Sequence, residues 1–169
     1  MPVIVRSEAE TDVAAVREVH VAAFDTPEEA ALVDALRGHS EPLISLVAVI
    51  GGVVVGHVMF SPVSLEGHRD LKLMGLAPLA VLPAHQRTGV GSALTSAGLG
   101  RCGELGAGAV VVLGHPCYYP RFGFEPADAR GIGCQFEAPP EAWMVLELEP
   151  GYLRGASGVV RWHAAFDGF

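Results

Sequence analysis

Residues 79 to 94 read LAVLPAHQRTGVGSAL, and no other stretch constrains the fold as tightly. Residues 79–82 are an apolar extended run, broken by Pro83. A loop follows, residues 84–88, and Gly89-Val90-Gly91-Ser92 then opens an Ala/Leu-rich segment of helical character. A strand feeding a glycine-rich turn at a helix N-terminus makes an anion site. The first-turn N–H groups have no intrahelical partner, the helix dipole is positive there, and glycine lets a phosphate approach the backbone. Arg87 can add a charge-assisted contact to the same anion. The segment predicts a phosphorylated ligand.

Two common phosphate motifs do not fit. No Gly-Lys-Ser/Thr follows the loop, which excludes a Walker pattern, and Leu94 stands where the third small residue of a dinucleotide fingerprint belongs. A formal GxGxxG at residues 98–103 lies late in a helical segment with no strand before it, so it is set aside. What the loop resembles is the Q/R-x-x-G-x-G/A signature of the GNAT superfamily of acyl-CoA-dependent N-acetyltransferases, as Gln86-Arg87-Thr88-Gly89-Val90-Gly91. Downstream, the strand-like AVVVL of residues 109–113 leads into Gly114-His115-Pro116-Cys117-Tyr118-Tyr119-Pro120-Arg121-Phe122-Gly123-Phe124. Its last six residues, from Tyr119, fit the Tyr-x-x-x-Gly-Phe ending of that superfamily. Val55-Gly56-His57, Phe60-Ser61-Pro62-Val63 and Gly75-Leu76-Ala77-Pro78-Leu79-Ala80-Val81 further resemble a bacterial subgroup, the YhbS-like acetyltransferases. The resemblance covers roughly residues 3–126, with a weaker echo in 158–166.

That resemblance implies an α/β (α+β) fold: a mixed, mostly antiparallel sheet of about seven strands with a V-shaped splay, flanked by about four helices. It implies acetyl-CoA as acyl donor, bound along the backbone of Leu79, Ala80 and Val81 and over Gln86, Arg87, Thr88, Gly89, Val90, Gly91 and Ser92, with Tyr118 and Phe122 beside it. It also implies a primary amine of a small molecule or peptide as acceptor, with residues 24–37 and 63–71 shaping its pocket. Dimers are frequent in the superfamily, which makes a homodimer a further implied partner.

With 169 residues, half of them apolar, one domain spanning 1–169 with a single core is expected. The net charge of −8 argues against nucleic acid and is compatible with attracting cationic amines. An acidic protein that binds an anionic cosubstrate must concentrate positive potential locally, and Arg87 with the adjacent helix start is the place for it. No apolar run is long enough to span a bilayer, and the N-terminus shows no export signal. Cys102, Cys117 and Cys134 are odd in number and lack metal spacing. They suit a reducing compartment, and the expectation is a cytoplasmic protein without metal.

Along the chain, residues 3–6 read as a strand, and Thr11-Asp12 caps a first helix whose apolar residues recur to Phe24. Thr26-Pro27-Glu28-Glu29 starts a second helix that Gly38 ends. Gly51-Gly52 joins two strands, 43–50 and 53–63, in a hairpin. A long strand covers 71–82, and Pro78 within it marks an edge, a bulge or a place where pairing stops. A helix over 89–105, a short helical turn over 118–122 and strands at 133–136, 144–148 and 159–162 complete the reading.

Acetyl transfer needs a held thioester, a polarised carbonyl, a neutral amine and a proton for the departing thiolate. Tyr119 is the candidate proton donor, since a phenol stays protonated at neutral pH. The alternative is that Tyr119 only packs among Tyr118, Phe122 and Phe124. Many superfamily members carry a glutamate on the strand before the phosphate loop, and residues 71–82 contain no carboxylate at all. The base candidates are therefore His57 and His115, acting directly or through water. The remaining histidines, His20 among them, read as structural or solvated. The missing carboxylate also motivates an alternative, a CoA-binding sensor or partner-binding module that has lost the chemistry.

Overall fold

A computed structural model describes residues 1–168. Its strands are β1 (Ile4–Ser7), β2 (Ile44–Ile50), β3 (Val53–Leu65), β4 (His68–Val81), β5 (Ala109–Leu113), β6 (Glu125–Pro126), β7 (Ile132–Cys134), β8 (Trp143–Glu147) and β9 (Gly158–Arg161). Three α-helices cover them: α1 (Val13–Phe24), α2 (Glu28–His39) and α3 (Val90–Glu104). The strands join one sheet in the order β1-β2-β3-β4-β5-β8-β6, while β9 pairs with both β3 and β7. Pairing is antiparallel except for β4 with β5 and β7 with β9.

The hairpin at Gly51-Gly52 forms as its sequence predicts, both glycines taking positive φ of 57° and 78°. The strands read as 53–63 and 71–82 both run further than expected, β3 and β4 staying paired down to Leu65 and His68, so that only Glu66-Gly67 is left as the turn between them. The second helix begins at Glu28, with Thr26 Oγ1 accepting from the Glu28 N–H at 3.3 Å and donating to Glu29 Oε1 at 2.9 Å. About four helices were expected and three α-helices are described. Residues 114–123 make only a 3₁₀ turn (Tyr119–Phe122), since Gly114, Pro116, Pro120 and Gly123 cannot sustain an α-helical ladder. The strand count exceeds the expected seven through the short β6 and β7.

Alternation along β3 divides two apolar cores. Met59 and Val63 pack with Val16, Leu32 and Leu36 under α1 and α2. Val58 and Phe60 pack with Val90 and Leu94 of α3 on the opposite face. Helix α3 sits close to the sheet because Gly98 lies against the Phe60 ring, where a Cβ would overlap it.

The region around Pro78 decides the site. Val58 pairs with Leu79 and Phe60 with Leu76, so Ala77 and Pro78 together oppose Met59, which makes a bulge in β4. The parallel pairing of β4 with β5 stops at Leu76 and Val112. Beyond it β4 runs on to Val81, bonded to β3 alone, and the sheet opens into a wedge on its β5 side.

Candidate active site

Two turns shape the loop after β4. Arg87 takes φ 61° and Gly89 φ 91°, the latter as the N-cap of α3. Gln86 Nε2 donates to the Val81 carbonyl at 3.0 Å, and the Thr88 hydroxyl donates to the His85 carbonyl, tying the loop to the strand end. Among the described residues, none of the six main-chain N–H groups from Arg87 to Ser92 has an acceptor in the protein; the first bond of the helix is Ala93 N–H to Gly89. Six successive unpaired donors at a helix N-terminus, those of Arg87, Gly89, Gly91 and Ser92 belonging to residues of the cavity wall, form an anion cradle with the Arg87 guanidinium alongside.

This cradle opens into a cavity of about 1030 Å³ that follows the wedge in the sheet. Leu79 and Val81 line it, as do Gln86, Arg87, Gly89, Gly91, Ser92, Tyr118, Tyr119 and His115. Four of the residues expected to hold the cofactor stand back from its wall. Ala80 is buried and paired with His57 across the hairpin. Val90 is buried in the α3 core. Thr88 turns its hydroxyl into the loop. Phe122 instead supports Tyr118, ring edge to ring face at 5.4 Å.

The two tyrosines have different surroundings. Tyr118 reaches the start of α3: its hydroxyl lies 3.5 Å from Ser92 Oγ, and Arg121 stacks on its ring at 4.4 Å. Tyr119 is 7% exposed and fixed edge-on against Tyr118 and Phe124. Burial, with Tyr118 adding to it, pushes its phenol well above the usual tyrosine range, so it holds its proton at neutral pH. Tyr119 is thus both a packed aromatic and a wall of the cavity, and the two sequence readings of it are compatible.

The histidines separate. His115 is exposed and on the cavity wall. His57 does not line the cavity and is fully buried on the α1 side of the sheet, which corrects its expected place beside the substrate. Its Nδ1 lies 2.8 Å from Nε2 of His20, and its Nε2 lies 2.7 Å from Ser45 Oγ and 3.5 Å from Glu8. Arg37 clamps Glu8 through two bonds of 2.9 and 2.8 Å. With His20 Nε2–H donating to His57 Nδ1 and His57 Nε2–H donating to Ser45, two neutral rings make both bonds, and His20 Nδ1 is left as a buried acceptor without a partner. Burial holds both imidazoles below the ordinary histidine value, His20 at about 4. His20, read from sequence as structural or solvated, is the buried partner of this pair.

Other cavity residues carry no local motif. Glu29, Glu137, Trp162 and Phe166 join the wall together with Phe24. Phe24 and Glu29 fall in the 24–37 stretch expected to shape an acceptor pocket. The C-terminal residues come from over 130 positions away in sequence, and the echo in 158–166 was their one signal. No group of three metal-type side chains occurs among the described residues, nor a helix long and apolar enough to cross a membrane.

Comparison with known proteins agrees with this architecture. Residues 5–127 match the acetyltransferase (GNAT) domain family. The chain is 36% identical over 167 residues to the uncharacterized N-acetyltransferase YhbS of Escherichia coli, covering 98% of this chain and 99% of that one. It is 40% identical over 154 residues to YjhQ of the same organism, covering 86% and 85%. The crystal structure of E. coli YhbS in complex with CoA superposes with a TM-score of 0.91 at 36% identity, over 98% of this chain and 92% of that one. A GNAT acetyltransferase from Brucella melitensis in complex with acetyl-CoA gives 0.81 at 35% identity, over 98% and 99%. With a wedge in its sheet, an anion cradle at the start of α3 and relatives of this closeness over nearly its whole length, the chain belongs to the GNAT family of N-acetyltransferases.

Proposed function

We propose that the protein transfers an acetyl group from acetyl-CoA to a primary amine of a small molecule or peptide, by direct attack of the amine on the thioester. One observation carries this reading: a single cavity connects the unpaired amides of residues 87–92, the unpaired side of β4 and the Tyr119 ring. The residues fit coenzyme A. The cradle with Arg87 suits its pyrophosphate, Gly91 leaves room beside the Tyr118 hydroxyl, and the side of β4 that β5 abandons suits an extended amide-bearing arm.

When bound, acetyl-CoA supplies the acetyl group as an activated thioester. The chain does the rest. A β4 N–H on the open side, aimed at the thioester oxygen, is worth about 3 kcal/mol of barrier. The Tyr119 hydroxyl holds a proton for the leaving sulfur. His115 and the cavity carboxylates are the groups placed to take the proton that the amine sheds, whereas His57 touches nothing in the cavity. Overall a C–N bond forms and the C–S bond breaks. The proton shed by the amine balances the one Tyr119 gives to sulfur and returns to it through solvent, so the only net proton released is the one the ammonium loses before attack.

The test is thiol release from acetyl-CoA across a panel of amines, with CoA binding followed by calorimetry. Turnover of at least one amine is expected, along with saturable CoA binding that Gly89→Val weakens more than tenfold, because a side chain is strained at φ 91° and intrudes on the cradle. Absence of both turnover and CoA binding overturns the proposal. Binding without turnover favours the sensor alternative.

A further inference from the structure

The cavity carries charge of opposite sign on different elements. Its cations, Arg87 and Arg121, stand on the phosphate loop and the tyrosine turn. Its carboxylates are Glu29, at the start of α2, and Glu137, just after β7. Elsewhere the buried or half-buried carboxylates are matched: Asp12 by Arg6, Glu8 by Arg37, Glu147 by Arg130. Neither Glu29 nor Glu137 has a cationic partner among the described residues. Glu29 is half-buried and oriented, since Thr26 occupies its Oε1. An oriented carboxylate on an apolar wall, with no cation of its own, suits a cationic ligand.

The wall around them is aromatic. Trp162 packs against Phe166 with ring centroids 4.9 Å apart and planes tilted by 54°, and Phe24 and Phe136 also line the cavity. Trp162 lies over Gly75, where any side chain would collide with its benzo edge, so the pyrrole edge turns away from the strand. Trp162 is 8% exposed, and its indole N–H has no acceptor in the protein. The other indole, Trp143, donates to the Ile132 carbonyl at 2.9 Å, as a buried indole ordinarily does. Trp162 thus lends the cavity its apolar ring, while its N–H is sealed in the interior without a partner.

Resting on the acetyltransferase reading above, we propose a narrower acceptor class: a primary amine carried on a flat apolar body, with no carboxylate beside the nitrogen. Glu29, with Glu137, receives the nitrogen. Trp162 and Phe166 pack the body. An α-carboxylate would sit against the half-buried Glu29 carboxylate on an apolar wall, with the exposed Glu137 adding like charge, which disfavours free amino acids. Highly polar polyamines would leave the aromatic wall without a partner.

The experiment is calorimetric titration of the protein saturated with CoA, a complex that cannot turn over. Phenethylamine, phenylalanine and the uncharged 2-phenylethanol are the probes. Phenethylamine should bind at least tenfold tighter than phenylalanine. Glu29→Gln should weaken phenethylamine at least fivefold, leave 2-phenylethanol and CoA within twofold, and be largely rescued by Glu29→Asp. Equal affinity for phenethylamine and phenylalanine, or unchanged phenethylamine binding in both Glu29→Gln and Glu137→Gln, overturns the inference. If CoA itself fails to bind, the broader reading fails, and the same titrations on the protein alone still decide the acceptor class.

Discussion

His20 and His57 offer a quantitative handle on whether the buried histidine pair is scaffold or catalyst. Both rings are fully buried and bonded to each other at 2.8 Å, so protonating either one places a charge in the core beside its neighbour. The unfolded chain meets no such obstacle and takes up protons below about pH 6.5. Burial lowers His20 to about 4, so its contribution is intact above pH 6.5 and is lost as the pH falls from 6.5 toward 4. Each pH unit in that window removes about 1.4 kcal/mol per histidine, so His20 alone removes roughly 2 kcal/mol at pH 5. His57 is depressed in the same direction and adds to the loss. Carboxylates held down by cations or amides, such as Asp12 and Glu147, give up their share only at more acid pH, which leaves the window above pH 5 to the histidines. Urea unfolding at pH 7.5, 6.5, 5.5 and 5.0 measures the slope. His20→Gln should lower stability at pH 7.5 but flatten the acid loss by roughly 2 kcal/mol. His57→Gln should likewise lower stability while the folded protein keeps most of its kcat. Equal wild-type stability at pH 7.5 and 5.0 would refute the buried-pair argument. So would a His57→Gln protein of unchanged stability and abolished kcat, which would return His57 to catalysis.

Tyr119→Phe removes only the hydroxyl from a ring fixed by Tyr118 and Phe124, so kcat should fall more than tenfold with CoA affinity within twofold; steady-state kinetics and calorimetry check this, and an unchanged kcat removes the proton-donor role. Gly98→Ala drives a methyl group into the Phe60 ring and forces α3 off the sheet. Unfolding should register a loss of about 1–3 kcal/mol, and because α3 carries the anion cradle, CoA binding should weaken with it.

Much of this was readable in the chain because it is local. The cradle depends on Gln86 to Ser92 alone: glycine at positive φ, a helix start and an arginine are consecutive, so backbone sterics and the helix dipole act without help from distant residues. The Gly51-Gly52 hairpin and the Pro78 bulge are local in the same sense, since a missing Cβ or a missing N–H acts where it stands. The identity of the wall around the acceptor is not local. Trp162 meets Gly75 only because β9 pairs with β3 and carries the chain back over β4. His57, polar at the centre of an apolar strand, has a sequence that suits a base or a buried partner equally. Its fate rests on His20, Ser45 and Glu8 arriving from three other parts of the chain. Backbone chemistry written in consecutive residues thus sets where a phosphate can lie. Which carboxylates and aromatic faces surround the acceptor is decided by packing across long separations, which no window of sequence contains.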